Sequence, residues 1–246
     1  VCTGLQLSSS CGPVVRRASR THVARGPASS VPNTSAGPTL RHTRENELRC
    51  AAETMGVREL IFLGYRDSGM EGTPDNDHQQ AFARAPEAEV VTRLVAIIRQ
   101  IRPEVVVTFE PNGGYGHPDH IAIHRATLKA FHAAGNAAQY PELGKAYLPA
   151  RLYYTAIPRS FFQRMVAEMQ ALGMESGEWE QFETGARGGW ADEQVTAVID
   201  VSTTVDAKWQ ALHCHRTQFG PGNLFRRLPE PAVREMMSRE YFAQAY

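Results

Sequence analysis

Residues 105–125 read V-V-V-T-F-E-P-N-G-G-Y-G-H-P-D-H-I-A-I-H-R. The run V-V-V-T-F is typical of a buried β-strand, and the pattern that begins at His120 is typical of a helix. The loop between them therefore lies at the carboxyl end of a strand, where open α/β sheets gather their ligands. It carries His117, Asp119 and His120, and the glycines before them let the backbone fold back. Two imidazoles and a carboxylate at this spacing suit a metal-assisted site.

Helix-like and strand-like segments alternate on both sides of this loop. The strongest helical pattern comes before Pro103 and the strand 104–109, and its apolar stripe is formed by Val90, Val91, Leu94, Ile97, Ile98 and Ile101. Further strands are predicted at 59–63, 152–157 and 195–201, and further helices at 43–56, 120–134, 160–172 and 203–215. This alternation predicts an α/β fold with a mostly parallel sheet flanked by helices.

The first forty residues differ in composition from the rest of the chain. Residues 8–39 are rich in Ser, Arg, Pro, Gly and small residues and show neither a helical nor a strand period. We therefore expect a poorly ordered or aberrant segment at 1–40 and one folded domain at 41–246. The arginines of this segment could form a nucleic-acid-binding arm, but no aromatic residues are interspersed with them, so a solvated tail is favoured.

Composition excludes several classes of partner. The chain has 246 residues, and 26 basic residues balance 26 acidic ones, so no overall field attracts nucleic acid or an anionic membrane. No apolar run approaches the roughly 18 residues of a membrane span. The four cysteines show no C-x-x-C spacing, which favours free thiols over a disulfide framework. These features predict a cytoplasmic protein.

A second motif, G-Y-R-D-S-G-M at residues 64–70, follows the predicted strand 59–63. Arg66 and Asp67 should therefore emerge at the same edge of the sheet as His117, where Arg66 could bind a hydroxyl-rich or anionic substrate. An Arg–Asp pair that closes a turn is the alternative. In the next stretch, T-P-D-N-D-H, Asp77 is the candidate for contact with a polar ligand, although ordinary loop composition explains it as well.

The H-P-D-H loop excludes one familiar kind of zinc site. His120 and His124 are four residues apart, as in zinc peptidases, but Ile121 stands where that pattern requires a Glu base. If one histidine binds metal, His120 is better placed, because it begins the helix while His117 lies on the glycine loop and faces a substrate. Asp119 could then orient an imidazole.

Three segments together resemble the PIG-L/LmbE-like deacetylases: residues 64–70, R-P-E-V-V-V-T-F-E at 102–110, and G-Y-G-H-P-D-H-I-A-I-H-R at 114–125. The resemblance implies a Rossmann-like fold and zinc-dependent hydrolysis of a small N-acyl amino sugar or thiol conjugate, with iron(II) as the alternative metal. It implies that His120 binds the metal, that His117 stabilises the tetrahedral intermediate or protonates the amine, and that Tyr115 is a mobile oxyanion partner. Arg66 and Asp67 would lie at the sugar end. A homo-oligomer is compatible with the family.

The family's opening motif, A-H-P-D-D-E, does not occur in this sequence. That motif supplies two metal ligands and a general base, so the first strand is expected to be missing, with the ligand loop upstream of residue 1. Three interpretations stay open: an N-deacetylase or amidase whose ligands lie elsewhere, a non-catalytic remnant that binds a sugar or a partner protein, and a deacetylase rebuilt with substitute ligands such as Asp67, Asp77 or His78.

Later features refine this picture. The segment C-H-R-T-Q-F at 214–219 ends a predicted helix and resembles a family segment near the active-site wall, so His215 could approach the substrate. An interaction of this imidazole with the helix dipole explains it equally well. Residues 173–193 should form a loop over the site, in which Trp179 and Trp190 could stack on a sugar or simply pack.

Overall fold

The computed structural model describes residues 40–177, 179–180 and 189–246, together with the backbone of 4–8 and 14–18. Its strands form one sheet in the order β3-β2-β1-β4-β5-β7-β6. Their bounds are β1 Gly4–Ser8, β2 Val14–Ala18, β3 Val57–Phe62, β4 Val105–Thr108, β5 Arg151–Thr155, β6 Ala197–Asp200 and β7 Arg239–Gln244.

Helices cover this sheet. Those described from end to end are α1 Leu40–Thr54, α2 Glu87–Ile101, the single turn α3 Gly113–Gly116, α4 Pro118–Gly135, α5 Arg159–Ala171, α6 Val205–Cys214, α7 Leu224–Arg227 and α8 Glu230–Met236. The predicted α/β architecture with flanking helices is therefore confirmed. None of the helices that the structure describes is both long and apolar enough to cross a bilayer.

The sheet is more mixed than the alternation predicted. Strands β1, β4 and β5 run parallel, whereas β2 pairs antiparallel with β1 and β3, and β7 pairs antiparallel with β5 and β6. Only residues 9–13 separate β1 from β2, which is too short for a parallel crossover. The alternation of helices and strands along the chain does not predict a short link between two antiparallel strands.

Strand β1 pairs parallel with β4. Both β1 and β2 fall inside segment 1–40. Strand β2 lies within residues 8–39, where the composition shows no strand period, and it forms because pairing with neighbouring strands can override a weak local preference. The rest of the segment up to residue 39 lies outside the described residues.

Helices α2 and α4 pack side by side on the sheet and form the main hydrophobic core with β4. The predicted α2 stripe is confirmed, since all six of its members are buried. They meet Ile123, Ala126 and Ala130 of α4 in one cluster that also contains Val106 of β4. This packing fixes the first turn of α4 directly beyond the end of β4.

Arg99 is a buried charge that holds the far end of α4. Its guanidinium, only 5% exposed, donates hydrogen bonds to six backbone carbonyl oxygens, those of Ala133, Ala134, Asn136, Gln139, Tyr140 and Gly144. Carbonyl groups at a helix C-terminus lack partners within the helix, so one cation satisfies several of them together. The α4 terminus and the loop after it depend on this side chain.

Replacing Arg99 with Met should lower the free energy of unfolding by about 2 to 4 kcal/mol, because buried carbonyl groups lose their donor. Urea unfolding followed by circular dichroism measures the change. Arg125→Met, at an exposed position of α4, serves as the control and should change stability by less than about 0.5 kcal/mol. Equal stability of the two variants would contradict this account.

A disulfide joins Cys50 of α1 to Cys214 of α6. The expectation of free thiols is therefore wrong for this pair, while Cys2 and Cys11 lie outside the described residues. The two cysteines are 164 residues apart, and nothing in their local sequence indicates that α1 and α6 pack against each other. Their pairing is a consequence of the tertiary fold.

Reducing this disulfide should destabilise the protein by about 2 to 4 kcal/mol, because the cross-link restricts the unfolded chain. Thermal unfolding with and without a reductant tests this. The reductant should lower the melting temperature of the unmodified protein and leave that of the Cys50→Ser/Cys214→Ser double variant unchanged. The same reductant effect on both proteins would show that the cross-link contributes nothing.

Candidate metal-assisted active site

The glycine loop after β4 folds back so that its backbone contacts α4. Gly113 has a φ of +65°, and a Cβ atom there would lie 2.7 Å from the Cβ of His120, so only glycine fits. The chain then enters α4 with His117 as the N-cap and Pro118 in the first turn. This entry places His117, Asp119 and His120 together and buries all three.

Asp119 connects the two motifs that the sequence analysis singled out. Its Oδ2 accepts the backbone N–H of Ser68 at 3.1 Å, and its side chain is fully buried. Its Oδ1 is also buried and has no hydrogen-bond partner among the residues that the structure describes. Burial raises the pKa of Asp119, since it disfavours the charged form. A nearby cation would stabilise the negative charge of this buried carboxylate.

His120 is held as one particular tautomer. Its Nδ1 lies 2.8 Å from the carbonyl oxygen of Gly113, which can only accept, so Nδ1 carries the proton and the lone pair lies on Nε2. Burial lowers the pKa of His120 to about 4, so the ring is neutral at physiological pH. Phe109 stacks on it, with ring centroids 3.8 Å apart and planes 6° from parallel. A neutral, oriented imidazole is the form that binds metal.

His117 is held as the opposite tautomer. Its Nδ1 accepts the backbone N–H of Asp119 at 3.2 Å, so a neutral ring carries its proton on Nε2. That Nε2 lies 3.8 Å from Oδ1 of Asp67. The arrangement makes the Nε2–H of His117 a hydrogen-bond donor at the site.

The donor set fits a divalent cation that prefers imidazole and carboxylate ligands. Asp67, His117 and Asp119 offer ligand atoms that all lie within 4.8 Å of one another. The unsatisfied Oδ1 of Asp119 and the Nε2 lone pair of His120 match zinc or iron(II). His117 belongs to the cluster by distance, but its tautomer indicates a donor rather than a ligand.

The structure brings some of the other predicted residues to this cluster and leaves others apart. Asp67 lies beside His117, and the ring of Tyr115 lies 5.3 Å from that of His120. Arg66 forms an ion pair with Asp75. The side chain of Asp77 is 87% exposed and pairs with Arg84.

Two more candidates, His78 and His215, do not belong to the group of ligand atoms around Asp67, His117 and Asp119. His78 accepts the backbone N–H of Gln80 through its Nδ1. His215 is the C-cap of α6, and the side chain of Thr217 two residues later donates to Glu47 of α1. Arg66 and Asp77 thus pair with other charged residues of the same loop, and the partner of Arg66 is Asp75 rather than the neighbouring Asp67.

Sequence reasoning missed three residues at the site. Arg44 of α1 lies 3.6 Å from Oδ2 of Asp67, and Ser68 supplies the N–H that fixes Asp119. Glu110 is buried, and its carboxylate accepts the backbone N–H groups of Asn112 and Gly114. Only Glu110 had a usable signal, since a carboxylate immediately before a Pro-Asn-Gly-Gly turn commonly binds turn amides.

A cavity of about 700 Å³ opens beside the cluster. Tyr115, His120 and Glu110 form part of its wall, and much of the remainder is aromatic, including Trp179, Trp190 and Tyr241. The predicted loop over the site thus contributes both tryptophans to the wall, while its residues 181–188 lie outside the described part. The cavity can hold a small molecule against His120 and Tyr115.

Comparison with known proteins agrees with this geometry. Residues 13–131 match the family model described as PIG-L, GlcNAc-PI de-N-acetylase. A 1D-myo-inositol 2-acetamido-2-deoxy-alpha-D-glucopyranoside deacetylase of Geodermatophilus obscurus is 40% identical over 205 residues, which span 81% of this chain and 69% of the relative. The deacetylase of the same name from Rhodococcus erythropolis is also 40% identical, over 81% of this chain and 68% of its own length.

One solved structure shares the fold. The N,N'-diacetylchitobiose deacetylase of Pyrococcus horikoshii superposes with a TM-score of 0.53 at 16% identity, over 83% of this chain and 64% of that one. The sequence relatives are deacetylases, which hydrolyse amide bonds. The chain therefore belongs to the PIG-L family of deacetylases.

Proposed function

We propose that this protein is a zinc-dependent hydrolase that removes an acetyl group from the amide nitrogen of an amino-sugar conjugate. The observation that carries the proposal is the group of Asp67, His117 and Asp119, whose ligand atoms all lie within 4.8 Å of one another. His120, whose lone pair is on Nε2, has its ring centroid 4.9 Å from that of His117. The curated relatives support the substrate class, since their names describe an acetamido sugar linked to inositol.

His120, Asp119 and Asp67 are the residues that would hold the metal. They provide one imidazole and two carboxylates, which is a usual number of protein ligands for catalytic zinc. Asp67 thereby acts as a substitute ligand in a chain without the A-H-P-D-D-E motif, whereas Asp77 and His78 do not lie in the cluster. Bound zinc would lower the pKa of water and polarise the acyl carbonyl. Iron(II) suits the same donors.

His117 and Tyr115 would act on the reacting amide. The Nε2–H of His117 can donate to the oxygen that becomes negative when the carbonyl is attacked, and the same proton can pass to the departing amine. Partial desolvation, and then the charges of Asp67 and Asp119, raise the pKa of Tyr115, so its hydroxyl remains a donor at neutral pH.

The conjugate would extend from these residues into the adjoining cavity. Trp179 and Trp190 line it and can stack on a sugar face. The substrate could carry either an inositol or a thiol group, because both conjugates are small molecules that contain an N-acyl amino sugar.

His120→Ala should abolish metal binding and acetyl release together. Metal in the purified protein is measured by plasma mass spectrometry, and acetate release from an N-acetylglucosamine–inositol conjugate is measured by a coupled assay. The matched control is His132→Ala, at an exposed position further along α4. About one zinc per chain is expected in the control. Sugar binding without any zinc in the unmodified protein would instead favour a non-catalytic remnant.

His117→Gln should separate catalysis from metal binding. This change removes the donor while leaving His120 in place, so zinc content should match that of the unmodified protein. The turnover number should fall by about 100- to 1000-fold, as expected for the loss of one oxyanion donor or general acid. Loss of zinc in this variant would show that His117 is a metal ligand and that the tautomer assignment is wrong.

A further inference from the structure

We propose that Glu110 is a positioning residue that acts on His120 through the peptide bond between Gly113 and Gly114. This inference rests on the proposed role of His120 as a metal ligand. Glu110 lies at the end of β4, and its carboxylate is 7% exposed. It is not one of the proposed metal ligands, and its charge must be compensated where it is buried.

The carboxylate of Glu110 clamps the glycine loop. Oε2 accepts the backbone N–H of Asn112 at 2.6 Å, and Oε1 accepts the backbone N–H of Gly114. The backbone carbonyl of Glu110 also accepts the N–H of Gly113 at 2.9 Å. Hydrogen bonds to a charged carboxylate are about twice as strong as neutral ones. Glu110 therefore binds three consecutive loop amides.

The peptide unit between Gly113 and Gly114 connects this clamp to the imidazole. The N–H of Gly114 and the C=O of Gly113 belong to the same planar trans peptide, so they point in opposite directions. The N–H points to Glu110, and the C=O accepts the Nδ1–H of His120. The contacts form one chain from carboxylate through peptide to imidazole.

This chain has an electronic and a geometric consequence. An anion that accepts the peptide N–H makes the carbonyl oxygen a better acceptor, because consecutive hydrogen bonds polarise one another. A stronger acceptor at Nδ1–H makes Nε2 of His120 a better ligand and fixes the ring orientation. A carboxylate bonded directly to a metal-binding histidine has the same effect in other metal sites. Here a peptide bond lies between the two groups.

The test compares Glu110→Gln with Glu104→Gln, an exposed glutamate at the opposite end of β4. The amide presents a donor where two backbone amides need acceptors, so zinc binding should weaken by about 10- to 100-fold in Glu110→Gln. Competition with a chelating dye measures the affinity, and thermal unfolding confirms that both variants are folded. Zinc affinity within threefold of the unmodified protein in folded Glu110→Gln overturns the inference.

A second measurement does not depend on the metal. Nuclear magnetic resonance of the metal-free protein labelled with ¹⁵N-histidine reports which ring nitrogen carries the proton. The proton of His120 should lie on Nδ1 and exchange slowly, and its signal should shift in Glu110→Gln but not in Glu104→Gln. A proton on Nε2 in the unmodified protein, or no shift in Glu110→Gln, overturns the inference. Absence of zinc from the unmodified protein would refute the proposed function alone.

Discussion

The buried carboxylate of Asp119 is the constraint on which the arrangement of the site depends. A fully enclosed carboxylate has lost its hydration, so donors or positive charge must compensate it. One oxygen takes the N–H of Ser68, which forces the loop after β3 against the first turn of α4 and brings Asp67 to His117. The other oxygen has no donor in the described part of the chain, which leaves a place for a cation. Two loops far apart in sequence thus meet around one negative charge.

Local patterns predicted those parts of the fold that local interactions determine. The α2 stripe follows from apolar spacing within a single helix and is found where the sequence placed it. The helix predicted at 120–134 is also found, although it begins two residues earlier, at Pro118. The antiparallel positions of β2 and β7 depend on pairing between distant segments, which no spacing reports. The Cys50–Cys214 disulfide likewise depends on contact between segments that are distant in sequence. The hydrogen bonds of Arg99 do so too, because α2 meets the end of α4 and the following loop only in the folded protein.

The site was predictable to the same extent. The cluster of His117, Asp119 and His120 is contiguous, so its existence could be inferred from the sequence, and only the backbone partners show which histidine donates and which offers a lone pair. The side chains of Arg66 and Asp77 emerge in the predicted loops, but neighbouring charges on the same loop pair with them. Charge complementarity within a loop cannot be distinguished from substrate contact by sequence alone.

Backbone groups, rather than further side chains, give the two histidines opposite roles. The carbonyl of Gly113 leaves the lone pair of His120 on Nε2, and the N–H of Asp119 leaves the proton of His117 on its Nε2. Both backbone groups are fixed by the entry of the chain into α4, where Gly113 must be glycine and His117 must be extended to cap the helix. The conformation of this loop therefore determines which imidazole offers a lone pair and which donates a proton.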